Sequence, residues 1–285
     1  MVFLFRVLSR LPLWLVHALG AALGRLVYFL SSTYRRHLQE NLAQAGIDPA
    51  LRLTVAAETG KQMLELSRIW LRPLDAAIGQ VTDVVGWELV EAARQSGRGI
   101  VFLTPHLGCF EITAQYLSAN FPITVLYRPP KQASAQYLIE TGRQREQLHL
   151  APADLSGVRS LIKALKRGQA IGLLPDQAPK TGEGVWLDFF GRAAYTMTLA
   201  ARLTETGAAT LLTWGERLPG GRGYRLHFAQ PQNELAGDTV HRAQQINQEM
   251  EHLIRQCPSQ YLWGYNRYKR PAGAEAPPVP EGNVE

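Results

Sequence analysis

The chain has 285 residues, 46% of them hydrophobic, enough to bury a full core as one large domain or two small ones and too apolar for a disordered segment. Its formal charge is +6, with 24 arginines and 6 lysines, a balance suited to anionic lipid headgroups or an acidic protein partner; without a basic block interleaved with aromatics, it argues against nucleic acid. Cys109 and Cys257 have neither metal-ligand spacing nor the makings of a disulfide framework, which fits a reduced cytoplasm.

Residues 2–30 are strongly apolar, with Arg6, Arg10 and Arg25 as punctuation and His17 inside the longest uncharged run. That run is shorter than the roughly 20 residues a span needs. The expectation is an uncleaved helix that embeds in, or crosses, a membrane, followed by a positive flank at Arg35 and Arg36. An ordinary buried helix fits the same residues. Helices are expected over 34–48 and 51–70, the second stopped by Pro73. A short strand over 81–85 and a helix over 87–95 follow.

The stretch from Gly99 to Tyr116, GIVFLTPHLGCFEITAQY, is the centre of the chain. Residues 100–103 read as a strand buried on both faces. A polar turn carries His106, and a helix begins after Gly108. Five residues apart on one regular helix, two side chains diverge by roughly 140°. His106 and Glu111 therefore meet only if the backbone bends, which Gly108 permits. A carboxylate so placed orients an imidazole and stabilises its protonated form, making His106 fit to take a proton from a hydroxyl. On spacing alone, a helix-capping histidine and a solvated first-turn acid are the more ordinary explanation of the pair.

Beyond it, a strand over 123–126 runs into Tyr127-Arg128-Pro129, where Pro129 holds Arg128 extended at the sheet rim. Helices are expected over 132–147, carrying Arg143, and over 159–166. A strand over 170–174 runs into Pro175-Asp176-Gln177. A strand or edge segment covers 185–190, a helix 196–204, a hairpin 208–214 with 223–228, and a long helix 240–256. Residues 272–285, rich in Pro, Ala, Gly and Glu, are expected to be a disordered tail. Strands alternating with helices imply an α/β fold with a mainly parallel sheet flanked by helices, in which ligands bind beyond the carboxyl ends of strands. His106, Arg128 and Asp176 all fall at such ends.

These motifs together resemble the lipid A biosynthesis lauroyl and myristoyl acyltransferases of the lysophospholipid acyltransferase-like superfamily. His106-Leu-Gly-Cys-Phe-Glu111 is similar to that superfamily's H-x-x-x-x-D/E box, and Tyr127-Arg128-Pro129 to its YRP element. Arg143 stands where the family places a functional Arg, and Pro175-Asp176 is similar to its PD element. The segments 185–196 and 260–269 resemble its later motifs. The resemblance implies a glycerol-phosphate acyltransferase-like fold divided into a membrane-associated helix (1–30), an acyltransferase domain (31–271) and the tail (272–285). It implies a bacterial inner-membrane enzyme, on the cytoplasmic face, that moves a fatty acyl chain from acyl carrier protein to a hydroxyl of a lipid A precursor without metal or cofactor. His106 is then the general base with Glu111 as its partner. Arg143, with Arg128 as a lesser candidate, serves the oxyanion or a substrate phosphate, and Asp176 orients an Arg or binds the acceptor. Alternatives within the same chemistry are another glycolipid, a lysophospholipid or an aminolipid as acceptor; a noncatalytic lipid-binding relative stands outside it.

Overall fold

The computed structural model describes residues 2–129, 136, 139, 140 and 142–278. The apolar N-terminus forms two helices rather than one, α1 (Val2–Arg10) and α2 (Leu13–Leu30), because Pro12 has no amide to continue the first and sits as the extended cap of the second. α3 (Ser32–Gln44) and α4 (Arg52–Leu71) follow. α2 lies along α4 with their backbones almost touching: a Cβ on Gly24 would stand 1.9 Å from the Ala56 carbonyl oxygen, and one on Gly60 1.9 Å from that of Gly20. No side chain fits there. His17, within the apolar run, is buried and its Nε2 meets Glu65 Oε2 on α4 at 2.9 Å.

α2 is long and apolar enough to cross a membrane by length and composition, with a mean hydropathy of 1.6, yet 39% of it is buried against the protein. Its other face and that of α1 leave Phe3, Trp14, Leu26, Phe29 and Leu30 exposed. The two helices are thus amphipathic at the level of tertiary structure: one side docked on α4, one side bare.

A short helix α5 (Leu74–Ile78) leads to β1 (Val81–Val85), α6 (Trp87–Gln95), β2 (Ile100–Leu103), α7 (Phe110–Ser118), β3 (Ile123–Tyr127) and β4 (Leu148–Pro152). Of the helix expected over 132–147, residues 132–135, 137, 138 and 141 lie outside the described residues; 136, 139, 140, 142 and 143 are helical, and 144–147 turn into β4 instead of continuing the helix. After β4 come α8 (Leu155–Lys166), β5 (Ala170–Leu173), β6 (Gly184–Phe189), β7 (Arg192–Met197), α9 (Leu199–Thr204), β8 (Ala209–Arg217), β9 (Tyr224–Ala229) and α10 (Thr239–Gln256). Seven strands make one sheet in the order β1-β9-β8-β2-β5-β3-β4. Every pairing is parallel except the β8–β9 hairpin.

The side-chain period of two splits β2 between two cores. Ile100 and Phe102 face α4, α6 and α7, whereas Val101 and Leu103 face α8, α9 and α10. A strand covered on both sides has no room for polar residues, which is why IVFL reads as it does.

Thr196, expected in a helix start, belongs instead to β7, which pairs antiparallel with β6 through a two-residue turn. Phe190 (φ 52°) and Gly191 (φ 74°) both take the left-handed conformation there, as a type I′ hairpin requires. The start of the expected tail is held down: Thr181 Oγ1 donates to the Ala272 carbonyl and Trp186 Nε1 to that of Glu275.

Candidate active site

β2 and β5 are parallel neighbours with Leu103 opposite Leu173. Each chain then leaves the sheet through a proline, Thr104-Pro105-His106 and Leu174-Pro175-Asp176. The equal offset puts His106 and Asp176 side by side. The Asp176 carboxylate clamps His106 twice: Nδ1 lies 2.8 Å from Oδ1, and the His106 backbone N–H donates to Oδ2 at 2.9 Å. Burial alone would raise the Asp176 carboxyl, but the attraction and hydrogen bonds of His106, with Arg267 nearby, hold it below the ordinary carboxylate range. With Nδ1–H committed to a carboxylate, the ring presents its Nε2 lone pair outward. The Gln177 amide sits 3.1 Å from that atom.

The pairing expected between His106 and Glu111 is replaced by this one. Gly108 does bend the chain (φ 57°), pressed against the Gly215 carbonyl. The bend stacks the Phe110 ring edge-on to the imidazole at 5.0 Å and directs Glu111 elsewhere. Glu111, buried in the first turn of α7, accepts from Trp70 Nε1 and from Arg143 Nε, each at 3.0 Å, and from Arg143 Nη2. Arg143 also lies over the Trp70 ring at 5.5 Å. The neighbouring Arg145 turns away from the pair, and its guanidinium caps the end of α4 through the carbonyls of Ile69, Trp70 and Arg72.

Between these two ion pairs opens a cleft of about 300 Å³, at the lower end of the range for ligand pockets. His106, Glu111, Arg143, Gln177 and Arg128 line it together with an apolar wall that includes Phe102, Phe110, Val125, Leu126 and Leu173. Arg128 is exposed at the mouth. Asp176 stays behind His106, 1% exposed. The roles of Trp70 and Gln177 carry no signal in the sequence. The matching Thr-Pro-His and Leu-Pro-Asp exits were the available signal for the His106–Asp176 pair.

Cys109, inside the motif, is buried, and burial together with the Glu65 carboxylate pushes its thiol well above the ordinary range. It carries no reactive thiolate. Cys109→Ala is expected to keep near wild-type turnover in an acyl-transfer assay while costing about 1 kcal/mol of stability in denaturant titration, the lower end for a small buried truncation.

A carboxylate-held histidine facing an apolar cleft at the carboxyl ends of parallel strands is the arrangement expected of an enzyme that handles ligands with greasy chains. The comparisons with known proteins give that class a family. The sequence profile of bacterial lipid A biosynthesis acyltransferases matches residues 1–270, and the chain belongs to that family. It is 26% identical over 274 residues to the lipid A biosynthesis lauroyltransferase of Escherichia coli (strain K12), covering 93% of this chain and 89% of the relative. It is 27% identical over 217 residues to the palmitoleoyltransferase of the same organism (75% and 70%) and 25% identical over 187 residues to its myristoyltransferase (64% and 57%). The chain is accordingly an acyltransferase of lipid A biosynthesis.

Proposed function

We propose that this enzyme transfers a fatty acyl chain from an acyl carrier protein thioester to a hydroxyl of a lipid A precursor, within a glycerol-phosphate acyltransferase-like fold. The acyl chain lies along the apolar wall of the cleft with its thioester carbonyl near Arg143. The acceptor hydroxyl displaces the Gln177 amide from His106 Nε2 and gives that nitrogen its proton as its oxygen attacks the carbonyl. Asp176 stabilises the resulting imidazolium, as a buried carboxylate does in a Ser-His-Asp triad. The tetrahedral oxyanion is met by the guanidinium of Arg143, which Glu111 and Trp70 hold in place. Collapse breaks the carbon–sulfur bond, and the imidazolium returns the proton to the departing thiolate. In this reading Asp176 takes the partner role first expected of Glu111, and Glu111 positions Arg143. Arg128, exposed at the mouth, attracts anionic groups of either substrate.

Membrane association follows from the bare face of α1 and α2. Ten of the fifteen exposed large hydrophobic side chains among the described residues lie on these two helices, a concentration of the kind that marks an interaction surface, and Arg6, Arg10 and Arg25 are exposed beside them. Because the opposite face of α2 is docked on α4 through Gly20, Gly24 and His17, the two helices lie in the interface rather than crossing it. The site then works at the cytoplasmic face of the bacterial inner membrane, where carrier protein is available.

The observation that carries this reading is the Asp176-clamped His106 opening on an apolar cleft in a chain of this family. Mass spectrometry of total lipids from a strain lacking the gene, with and without the chain restored, tests it. The expected result is a lipid A precursor short of one acyl chain, completed on restoration. A change confined to another lipid class would move the acceptor elsewhere, and unchanged lipids would overturn the reading.

A further inference from the structure

A second cavity, also of about 300 Å³, lies apart from the cleft and shares no lining residue with it. Its walls come from α3 and from the chain after α10, with the first residue of β7 closing one side. Three cations line it: Arg36, Arg192 and Lys269. The single carboxylate is Glu40, 3.9 Å from Arg36, with both side chains more than half exposed. Arg192 and Lys269 make no salt bridge among the described residues. They are held instead by aromatic faces, Arg192 over Tyr268 at 4.6 Å and Lys269 over Tyr265 at 5.0 Å. Cations anchored on rings rather than on acids keep their charge available to a ligand.

The cavity walls are pinned. The Tyr268 hydroxyl donates to the Phe189 carbonyl at 2.8 Å, and Asn41 Nδ2 donates to the carbonyls of Trp263 and Tyr265 at 2.7 and 2.8 Å. Tyr265 stands between the two cavities: its hydroxyl accepts from the backbone N–H of Ala178 in the cleft wall, while its ring carries Lys269. Arg36 follows closely on Phe29 and Leu30, 62% and 76% exposed, where the bare apolar face of α2 ends. Of the three cations, Arg36 is the nearest in sequence to that apolar face.

We infer that this cavity is a phosphate site for a lipid headgroup, with Arg36 and Arg192 offering forked donors to the phosphate oxygens and Lys269 a point charge. The phosphate belongs either to a bilayer phospholipid or to a phosphorylated glycolipid; the chemistry recognised is the same. The inference does not depend on the acyl-transfer mechanism, and its test needs no turnover.

Calorimetric titration of the full-length protein with soluble dihexanoyl phosphatidic acid, and separately with glucosamine 1-phosphate, tests it. The variants are Arg192→Gln/Lys269→Gln and the charge-conserving Arg192→Lys, each first shown by thermal melting to be folded. The wild type is expected to bind at least one probe. The double variant is expected to bind it about 100-fold more weakly, at roughly tenfold for each charge-assisted hydrogen bond removed, with Arg192→Lys retaining most of the affinity. Binding of the first probe alone assigns a bilayer lipid, and of the second alone a sugar phosphate. Wild-type protein that binds neither, or a double variant that binds as tightly as wild type, overturns the inference.

Discussion

His106→Ala is expected to slow acyl transfer by about 10²–10⁴-fold, the usual contribution of a positioned general base, while the protein stays folded. The turn around His106 is built from backbone hydrogen bonds the substitution leaves in place. Its N–H donates to Asp176 and its carbonyl accepts from Leu262 N–H at 3.2 Å. Gly108 N–H donates to the Gln260 carbonyl at 3.0 Å. The Asp176 oxygen that loses the imidazole keeps the attraction of Arg267. A quantitative assay with purified protein and an acyl thioester, run beside far-ultraviolet circular dichroism, separates lost chemistry from lost structure. Wild-type turnover by a folded His106→Ala protein would remove the base from the mechanism.

The second large effect is on stability. Arg217→Met is expected to cost about 3–5 kcal/mol in urea denaturation, the range for breaking a buried ion pair from one side. The Arg217 side chain is 1% exposed and holds Glu65 through Nε and Nη2, at 2.9 and 2.7 Å, and Glu58 through Nη1 at 2.7 Å. Glu65 also takes hydrogen bonds from Tyr224 and His17. One cluster therefore ties α2 and α4 to the β8–β9 hairpin. Removing the cation strands the buried Glu65 carboxylate without its main partner, while Glu58 keeps its pairing with Lys61. Glu65→Gln combined with Arg217→Met should recover part of the loss, because the larger cost is the stranded charge rather than the missing attraction.

The same groups give the pH dependence its sign. Burial pushes Glu65 up, but Arg217 and His17 more than reverse this and hold it far below the ordinary carboxylate range; Asp176 is depressed as well. Both then stabilise the fold in full above about pH 5, where unfolded carboxyls are ionised, and that contribution is lost as the pH falls below it. α4 passes this stability on to the site: Gln62 Nε2 donates to the Gly108 carbonyl at 3.1 Å, beneath the turn that carries His106.

Much of this was legible in the sequence where the signal was local. β1, α6 and β2 read directly from short apolar runs punctuated by glycine and proline, and the β8–β9 hairpin from its Pro-Gly-Gly turn. β7 was not legible, because Arg-Ala-Ala-Tyr-Thr-Met has no strand pattern of its own and becomes a strand by pairing with β6 across the left-handed Phe190-Gly191 turn. Of the candidate site residues, His106, Arg128 and Asp176 were legible as types at strand ends, whereas the partners of His106 and Glu111 were not. His106 and Asp176 are 70 residues apart and meet because β5 lies beside β2 with β3 and β4 beyond it, an order set by tertiary packing. Glu111, near in sequence, is drawn to Arg143 and Trp70 from other elements.

The sharpest measurement is the imidazole N–H proton spectrum of the full-length protein with isotope-labelled histidine, the His106 resonance assigned by its absence in His106→Ala. A far-downfield Nδ1 proton bonded to carboxylate is expected, lost in Asp176→Asn and kept in Glu111→Gln. Its survival in Asp176→Asn with loss in Glu111→Gln would contradict the assignment of Asp176 as the partner of the base.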